Sequence, residues 1–292
     1  MNRVLRLRAN AKVNLSLDVT GVREDGYHTV DMVNRSVTLF DEIEFMLTPG
    51  EPFSIISNVK YFPTDEKNLI WKAAKKLCDC AGVPLPDARC AVRKRIPSQA
   101  GLGGGSADAA ASLIAFNTLL GLGIGDEELS VIGASVGADV PFCLRGGTAR
   151  VRGIGEVIDP VEDIFPCPML IAMPRYGRPT KEAYGMLDRV GVLYHPDTEK
   201  ILEGLAAGDP ESAFRTAGNV FEAVTADEVT QQLKDKMSAD GAVYSAMTGT
   251  GAAVFGIFQR AREAMEARDL LRTEGYGAWV VYRAEKGVEI TD

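Results

Sequence analysis

The sequence is poor in the residues that build metal sites and disulfide frameworks. Only two histidines, His28 and His195, are present, and the spacing of Cys78 and Cys80 does not suit a zinc pair. The five cysteines are odd in number and scattered, which is typical of a reduced cytoplasmic protein whose thiols pack in the core. We therefore expect neither a disulfide framework nor a structural metal ion.

Long apolar segments are also missing. No apolar run approaches the roughly 18 residues that cross a bilayer, and the first residues alternate like a strand and lack the apolar core of a signal peptide. There is no excess of positive charge, because 32 Lys and Arg stand against 40 Asp and Glu, for a net charge of −8. We expect no membrane and no nucleic acid among the partners, although local basic residues could still bind an anionic small molecule.

The composition is otherwise that of a globular protein. Hydrophobic residues make up 46% and charged residues 25% of the 292 positions. That length is sufficient for two domains, and three prolines between residues 159 and 168 indicate a boundary near residue 160. We expect one domain over residues 1–160 and a second over residues 161–292.

A glycine-rich loop in front of an apolar stretch is the most informative feature. Four glycines fall within five residues, and residues 107–120 have the composition and apolar spacing of a helix. Free N–H groups at a helix N-terminus attract anions, and glycines let a phosphate approach the backbone. The glycine loop, as named here, consists of Pro97, Ser98, Gln99, Ala100, Gly101, Leu102, Gly103, Gly104, Gly105, Ser106 and Ala107.

Two common phosphate-binding motifs do not fit this loop. A Walker A motif requires a lysine after the glycines, and none is present. The dinucleotide fingerprint would need a third glycine where Ser106 or Asp108 stands. The alternative to a ligand site is a tight strand-to-helix turn with Ser106 as the N-cap. A strand over residues 92–96 would carry three cations, among them Lys94, towards the loop.

Apolar periodicity predicts the other elements. The strands are predicted over residues 5–9, 11–19, 30–39, 43–47, 146–158 (two short strands), 169–173, 242–247, 252–258 and 278–283, and the helices over residues 69–81, 127–136, 180–188 and 260–274, with two or three more before residue 239. Asp126 is the predicted cap of its helix. The strand-helix-strand-strand-helix-strand order beyond residue 168 suggests a ferredoxin-like α+β domain.

Several polar residues allow a functional and a purely structural interpretation. Lys12 and Asn14 project together from the polar face of a predicted half-buried strand, which is also how a solvated strand face would look. Asp139 lies between a helix end and a segment that Pro141 is expected to keep extended. A carboxylate in such a place is often a turn residue with local hydrogen bonds.

Two further segments remain equally open. Tyr27 and His28 follow a turn, and they could be a core anchor and a surface residue, or an aromatic ring that stacks on a planar ligand beside an imidazole that contacts its edge. The glycine-threonine repeat at residues 248–251 could be a plain hairpin turn or a second small loop that approaches a ligand.

The chain resembles the GHMP kinase superfamily in segments that occur in the same order. They are residues 11–15 with 26–28, the glycine loop, residues 137–141 and residues 248–251, and residues 68–70 match one more family segment. Within the superfamily, the chain is most similar to the branch that phosphorylates a cytidine diphosphate-linked methylerythritol.

The resemblance implies an α+β GHMP kinase fold, with an S5-like N-terminal α/β domain, a ferredoxin-like C-terminal domain and the site between them. It implies transfer of a phosphoryl group from ATP to the 2-hydroxyl of the methylerythritol unit, in the non-mevalonate isoprenoid pathway. Mg²⁺ would be held mostly by nucleotide oxygens, with the Ser106 hydroxyl as a further ligand. The partner would be this small molecule, and the chain would act as a monomer or a homodimer.

The resemblance also assigns roles to residues. Asp139 would be the base, and Lys12 would neutralise charge at the reacting oxygen. The glycine loop, Asn68 and Lys94 would bind ATP, and the substrate would be bound by Asn14, Tyr27, His28, Tyr184, Gly249, Thr250 and Gly251. Two positions depart from the family: Ala107 replaces a serine, and Asn34 stands where a phenylalanine often walls the methylerythritol side.

Two alternatives make different predictions. Another GHMP kinase, acting on a mevalonate derivative, homoserine or a sugar, would not depend on cytidine and would have no use for Tyr27 and His28. A non-catalytic S5-like binding protein would keep the glycine loop but would have no reason to pair Lys12 with Asp139.

Overall fold

The structure is a computed structural model that describes residues 4–291. The strands are β1 (Val4–Val22), β2 (His28–Leu47), β3 (Ser54–Ser57), β4 (Ala88–Arg93), β5 (Thr148–Gly153), β6 (Val157–Pro160), β7 (Met169–Met173), β8 (Ala242–Met247), β9 (Val254–Phe258), β10 (Gly277–Val281) and β11 (Val288–Ile290). The helices are α1 (Leu69–Ala81), α2 (Gly104–Leu120), α3 (Asp126–Val136), α4 (Val140–Arg145), α5 (Thr180–Val190), α6 (Thr198–Ala207), α7 (Pro210–Phe214), α8 (Glu222–Thr225), α9 (Glu228–Ala239) and α10 (Ala261–Thr273).

The first sheet is built on a long antiparallel hairpin of β1 and β2. The far half of β2 pairs with β4 and the near half with β5, so this one strand connects both ends of the sheet. Helices α1 to α4 cover one face. The central helix α2 is rich in buried alanine, and small side chains let it pack closely against the sheet and the other helices.

The second sheet has the antiparallel order β10-β7-β9-β8, with α9 and α10 packed on one face. This order, with two helices on one side, is the ferredoxin-like arrangement predicted from the element sequence, and α5 to α8 are inserted after its first strand. The proposed domain boundary near residue 160 falls between β6 and β7. The last strand, β11, returns to pair with β1 in the first sheet.

The open face of the second sheet packs against the β1–β2 hairpin. Val13 and Leu15 of β1 share one apolar core with Ile171 and Phe255. The other face is covered by the glycine loop and the helices, where Lys12 lies against Gly103 and Asp139. Both faces of residues 9–19 are therefore buried, where the alternation predicted a half-buried strand. The interpretation of this strand's polar side as a solvated face is therefore wrong.

Two helix starts differ from the sequence prediction. Helix α2 begins at Gly104 with Gly103 as its N-cap, so Ser106 lies in the first turn and is not the cap. Helix α3 is preceded by Gly125, and Asp126 is its first residue. Asp126 still suits the positive end of the helix dipole.

Two further segments were predicted wrongly. Strand β4 ends at Arg93, so Lys94 lies in the connection that leads to the glycine loop. The segment after Asp139 is the short helix α4 and is not extended. Pro141 lies in its first turn, where a missing N–H breaks no helical hydrogen bond. Within residues 4–291, no helix is both long and apolar enough to cross a membrane.

Candidate active site

A cavity of about 520 Å³ opens where the glycine loop meets the Asp139 segment and the turn at residues 248–251. The predicted site residues that line it are Lys12, Lys94, Pro97, Ser98, Gln99, Ala100, Gly101, Leu102, Gly103, Gly104, Gly105, Ser106, Asp139, Tyr184, Gly249 and Thr250. Residues from distant parts of the chain thus meet in one place. A wider groove of about 840 Å³ crosses the first sheet beside Arg6 and Glu44 and contains none of the predicted residues.

The glycine loop has a conformation that side chains would prevent. Gly101 and Gly103 have φ angles of +76° and +68°, where other residues are strained. A Cβ at Gly101 would lie 2.1 Å from the carbonyl oxygen of Thr248, and one at Gly103 would lie 2.9 Å from Cγ of Lys12. The glycines therefore permit two close contacts that a plain strand-to-helix turn does not need.

The N-terminus of α2 faces this cavity. Gly104, Gly105 and Ser106 of its first turn are among the lining residues. Within residues 4–291, no side chain caps this end of the helix. The first-turn N–H groups and the positive end of the helix dipole are therefore suited to bind the phosphates of a nucleotide.

Lys12 and Asp139 come together at the cavity. Lys12 Nζ lies 3.6 Å from Asp139 Oδ2, and the exposed fractions of the two side chains are 5% and 33%. The carboxylate is therefore accessible while the ammonium is enclosed. Asp139 occupies the N-cap position of α4, yet its side chain makes no capping hydrogen bond within the described residues. The Asp139 carboxylate instead forms an ion pair with Lys12, which a turn residue with only local hydrogen bonds would not do.

Asn14 holds the Lys12 ammonium in place. Its Oδ1 accepts hydrogen bonds from Lys12 Nζ at 2.7 Å and from the backbone N–H of Gly249 at 2.9 Å. The backbone N–H of Asn14 donates to the Thr248 hydroxyl at 3.0 Å. The segment at residues 248–251 is thus the hairpin turn between β8 and β9, and it also contacts β1, the strand that carries Lys12.

Asn34 does not line the cavity. It is fully buried, and its Oδ1 accepts a hydrogen bond from Asn14 Nδ2 at 2.6 Å. Asn34 therefore does not replace the wall that a phenylalanine often provides at this position in the family. The residue lies behind Asn14, which in turn contacts Lys12.

Lys94 lies at the other end of the cavity in a buried cluster of charges. Its Nζ donates to Asp108 Oδ2 at 2.6 Å and also to Asp41. Burial alone would lower the pKa of Lys94, but Asp108 and Asp41 raise it above its usual value. Burial raises the pKa of Asp108 to about 8, although Lys94 acts in the opposite direction.

A cluster of aromatic rings lies beside the cavity, around Tyr184. His28 and Tyr184 have ring centroids 4.6 Å apart, and Tyr184 packs edge-on against Phe221 at 4.8 Å. His28 Nε2 is 2.7 Å from Asp188 Oδ1. Tyr27 is 62% exposed, so its interpretation as a core anchor is wrong. Burial raises the pKa of Tyr184 to about 12, and its phenol is therefore neutral at physiological pH.

The other predicted site residues lie behind or beside the cavity lining. Asn68 is the N-cap of α1: its Oδ1 accepts from the N–H of Ile70 at 2.9 Å, and its Nδ2 donates to the carbonyl of Pro63, which lines the cavity. Five more of the predicted site residues also lie outside the cavity lining, namely Asn14, Tyr27, His28, Ala107 and Gly251.

Sequence reasoning missed the apolar residues of the cavity wall. They include Phe62, whose ring centroid is 5.8 Å from Lys94 Nζ, and Leu69, as well as Met32 and Phe221, which share an apolar cluster with Tyr184. No local signal identifies them, because isolated apolar residues look like ordinary core residues whether they fall in a predicted element or, like Phe62, in a loop.

The structure offers little protein coordination for a metal ion. Within residues 4–291, no group of three or more His, Cys, Asp or Glu side chains is placed to hold one. The Ser106 hydroxyl and the Asp139 carboxylate are oxygen donors on the cavity wall. Such a sparse set fits Mg²⁺ bound chiefly to phosphate oxygens and water, which is how that ion commonly accompanies nucleotides.

The sequence matches two family models, GHMP kinases N terminal domain over residues 68–147 and GHMP kinases C terminal over residues 201–277. It is 38% identical to a 4-diphosphocytidyl-2-C-methyl-D-erythritol kinase of Lachnospira eligens, over 93% of this chain and 94% of that protein. It is 37% identical to one of Clostridium novyi, over 91% and 95%. The chain belongs to the 4-diphosphocytidyl-2-C-methyl-D-erythritol kinase family.

Solved structures agree with this family and its wider fold. A crystal structure of a 4-(cytidine 5'-diphospho)-2C-methyl-D-erythritol kinase has a TM-score of 0.78 and 32% identity, covering 97% of this chain and 100% of that one. A homoserine kinase from Cytophaga hutchinsonii has a TM-score of 0.79 at 18% identity, covering 99% and 97%, which is a likeness of fold alone. The fold is the predicted GHMP kinase fold, and the chain is an ATP-dependent small-molecule kinase.

Proposed function

We propose that the chain transfers the γ-phosphoryl group of ATP to the 2-hydroxyl of 4-diphosphocytidyl-2-C-methyl-D-erythritol, in the non-mevalonate isoprenoid pathway. The observation that carries the proposal is the pairing of Lys12 with Asp139, 3.6 Å apart, on the cavity between the glycine loop and Tyr184. The relatives that match most of the chain carry this activity in their names.

The residues at the cavity divide the chemistry between them. Asp139 accepts the proton of the substrate hydroxyl, while Lys12 stabilises the negative charge that develops on that oxygen. The new bond forms between this oxygen and the γ-phosphorus, and the bond from the γ-phosphorus to its bridging oxygen breaks to release ADP. The N-terminus of α2 and the bare loop backbone hold the phosphates in line for the transfer.

The two ends of the cavity would bind the two nucleotides. Phe62, Leu69 and Lys94 suit the adenine side, where Asn68 supports the wall through Pro63. At the other end Tyr184 and the exposed ring of Tyr27 would cover the faces of the cytosine ring, and His28 would contact its edge. Gly249, Thr250 and Gly251 would approach the middle of the substrate.

Mg²⁺ would shield the phosphate charge during transfer, held mainly by nucleotide oxygens with the Ser106 hydroxyl as its protein ligand. The cytoplasmic location expected from the cysteine pattern remains part of the proposal. So does a monomer or homodimer that acts without nucleic acid.

An ADP-release assay with three acceptors tests the proposal. The cytidine diphospho-methylerythritol should support turnover, while its uridine analogue and mevalonate should be poor substrates. Asp139→Asn measured in parallel shows that the ADP comes from this site. Equal rates with mevalonate would assign the chain to another branch of the GHMP kinases.

A further inference from the structure

A second buried asparagine lies behind the Lys12–Asn14 contact. Asn34 and Asn14 are 0% and 1% exposed, and Asn34 Oδ1 accepts from Asn14 Nδ2 at 2.6 Å. Among residues 4–291, the Asn34 Nδ2 group has no hydrogen-bond partner. A buried, unpaired amide group is unfavourable for folding, so packing alone does not explain a polar residue at this position.

The orientation of the Asn14 amide follows from its neighbours. The Lys12 ammonium and the Gly249 N–H group are donors only, so the Asn14 atom that faces both must be its oxygen. The NH₂ group of Asn14 then points to the opposite side and needs an acceptor. Asn34 Oδ1 supplies it, and the only other nearby acceptor within the described residues is the weakly accepting sulfur of Met32, at 3.4 Å.

We propose that Asn34 is a positioning residue for phosphoryl transfer. By accepting from Asn14 it keeps the Asn14 oxygen on Lys12, and so keeps the ammonium beside Asp139. Without this acceptor, the Asn14 NH₂ group loses its main partner, and only the contacts at its oxygen oppose rotation of the amide. A turned amide would point its NH₂ group at the Lys12 ammonium. The inference rests on the proposed function, because it assigns Lys12 to the reacting oxygen.

Two substitutions separate the acceptor from the volume of the side chain. Asn34→Leu has a similar size and no acceptor, while Asn34→Asp keeps an oxygen where Oδ1 lies. We expect Asn34→Leu to lower kcat about tenfold and to leave the KM for ATP unchanged. A fall in kcat of about tenfold corresponds to the loss of roughly one hydrogen bond to a charged group. Asn34→Asp should restore most of kcat, and Asn34→Val serves as a second apolar variant if the leucine does not fold.

A matched control and a double substitution sharpen the test. Ser112 is also fully buried and donates to the carbonyl of Ile70 at 2.9 Å, away from the cavity, so Ser112→Ala should keep the wild-type kcat. In an Asn14→Leu background, Asn34→Leu should cause no further loss, because both act on the same contact. An additive loss, or an Asn34→Asp variant as slow as Asn34→Leu, would overturn the inference.

A crystal structure of Asn34→Leu gives a reading that does not depend on activity. We expect Lys12 Nζ to have left Asn14 Oδ1, and an unchanged contact would also overturn the inference. Failure of the proposed function looks different: the wild type would then release no ADP with the cytidine substrate, while the crystallographic comparison would still decide the role of Asn34.

Discussion

Gly103 leaves the space through which the Lys12 side chain reaches Asp139. A Cβ at position 103 would lie 2.9 Å from Cγ and 3.3 Å from Cε of Lys12. The glycine loop therefore exposes its own backbone and also positions the Lys12 side chain of β1. A glycine is required here both for the positive φ and for this contact.

We predict that Gly103→Ala lowers kcat by at least tenfold because it displaces Lys12. Gly121, at the other end of α2, is a matched control: it has a similar φ of +65°, and a Cβ there would meet nothing within 4 Å. Both substitutions should reduce stability by about 1–2 kcal/mol through backbone strain. Only Gly103→Ala should slow ADP release, and equal kcat values for the two variants would contradict the steric role.

Replacement of the proposed base should affect turnover alone. Asp139→Asn keeps the shape of the side chain but cannot accept the hydroxyl proton, so we expect kcat to fall roughly 10²- to 10⁴-fold. ATP binding, measured by calorimetry, should stay nearly intact because the phosphates are held by the loop and α2. Near-wild-type turnover would remove Asp139 as the base.

Loss of the contact between His28 and Asp188 should weaken binding of the cytidine substrate and leave ATP binding unchanged. Asp188 holds the His28 ring and favours a proton on Nε2, which leaves Nδ1 as an acceptor for the ligand. We expect Asp188→Ala to raise the KM of the cytidine substrate several-fold and to leave the KM of ATP unchanged.

The other histidine provides the control for this prediction. His195 makes a comparable contact with Asp18, at 2.9 Å, and lies in the same outer groove as His28. His195→Ala should change neither KM. A similar rise in both variants would indicate a general loosening of this region.

The segment between the two sheets is fixed by a buried ion pair. Arg35 Nη2 lies 2.6 Å from Asp163 Oδ2, and both side chains are 0% exposed. Asp163→Asn should cost about 3–5 kcal/mol, because it leaves the guanidinium buried without its counter-charge. Asp159→Asn breaks the exposed pair with Arg152 and should cost less than about 1 kcal/mol. Thermal unfolding of the two variants measures the difference.

The cluster around Lys94 should make stability depend on pH. The pKa of Asp108 is raised in the folded state to about 8, so between about pH 4 and pH 8 the folded protein keeps a proton that the unfolded chain loses. This contribution therefore becomes less favourable as pH rises through that window.

We predict that Asp108→Asn loses less stability between pH 5 and pH 8 than the wild type does. The difference should be at least roughly 2–4 °C in the melting temperature. Asp269→Asn, which removes an exposed carboxylate, should follow the wild type. If Asp108→Asn shows the same pH slope as the wild type, Asp108 is ionised throughout the range.

Much of this architecture follows from local patterns in the sequence. The glycines of the loop, the helix behind them and the ferredoxin-like order of the second sheet are encoded in turn chemistry and apolar periodicity. The segments that match the family also indicate a kinase. These features depend on residues close together in the chain, which is why they can be predicted without coordinates.

Other features depend on which surfaces pack together. Alternation along β1 predicts one solvated face, but the polar face is covered as well: Lys12 lies against Gly103 and Asp139, and Asn14 lies against the turn at residues 248–251. Asn34, which departs from the family's phenylalanine, lies behind Asn14 on the neighbouring strand β2. The sequence by itself determined that the chain carries a glycine-rich loop before a helix and a GHMP kinase fold. Only the tertiary structure decided that Lys12 meets Asp139 and what supports it. Residues far apart in the chain become neighbours only when α4 packs on β1 and the turn between β8 and β9 reaches Asn14.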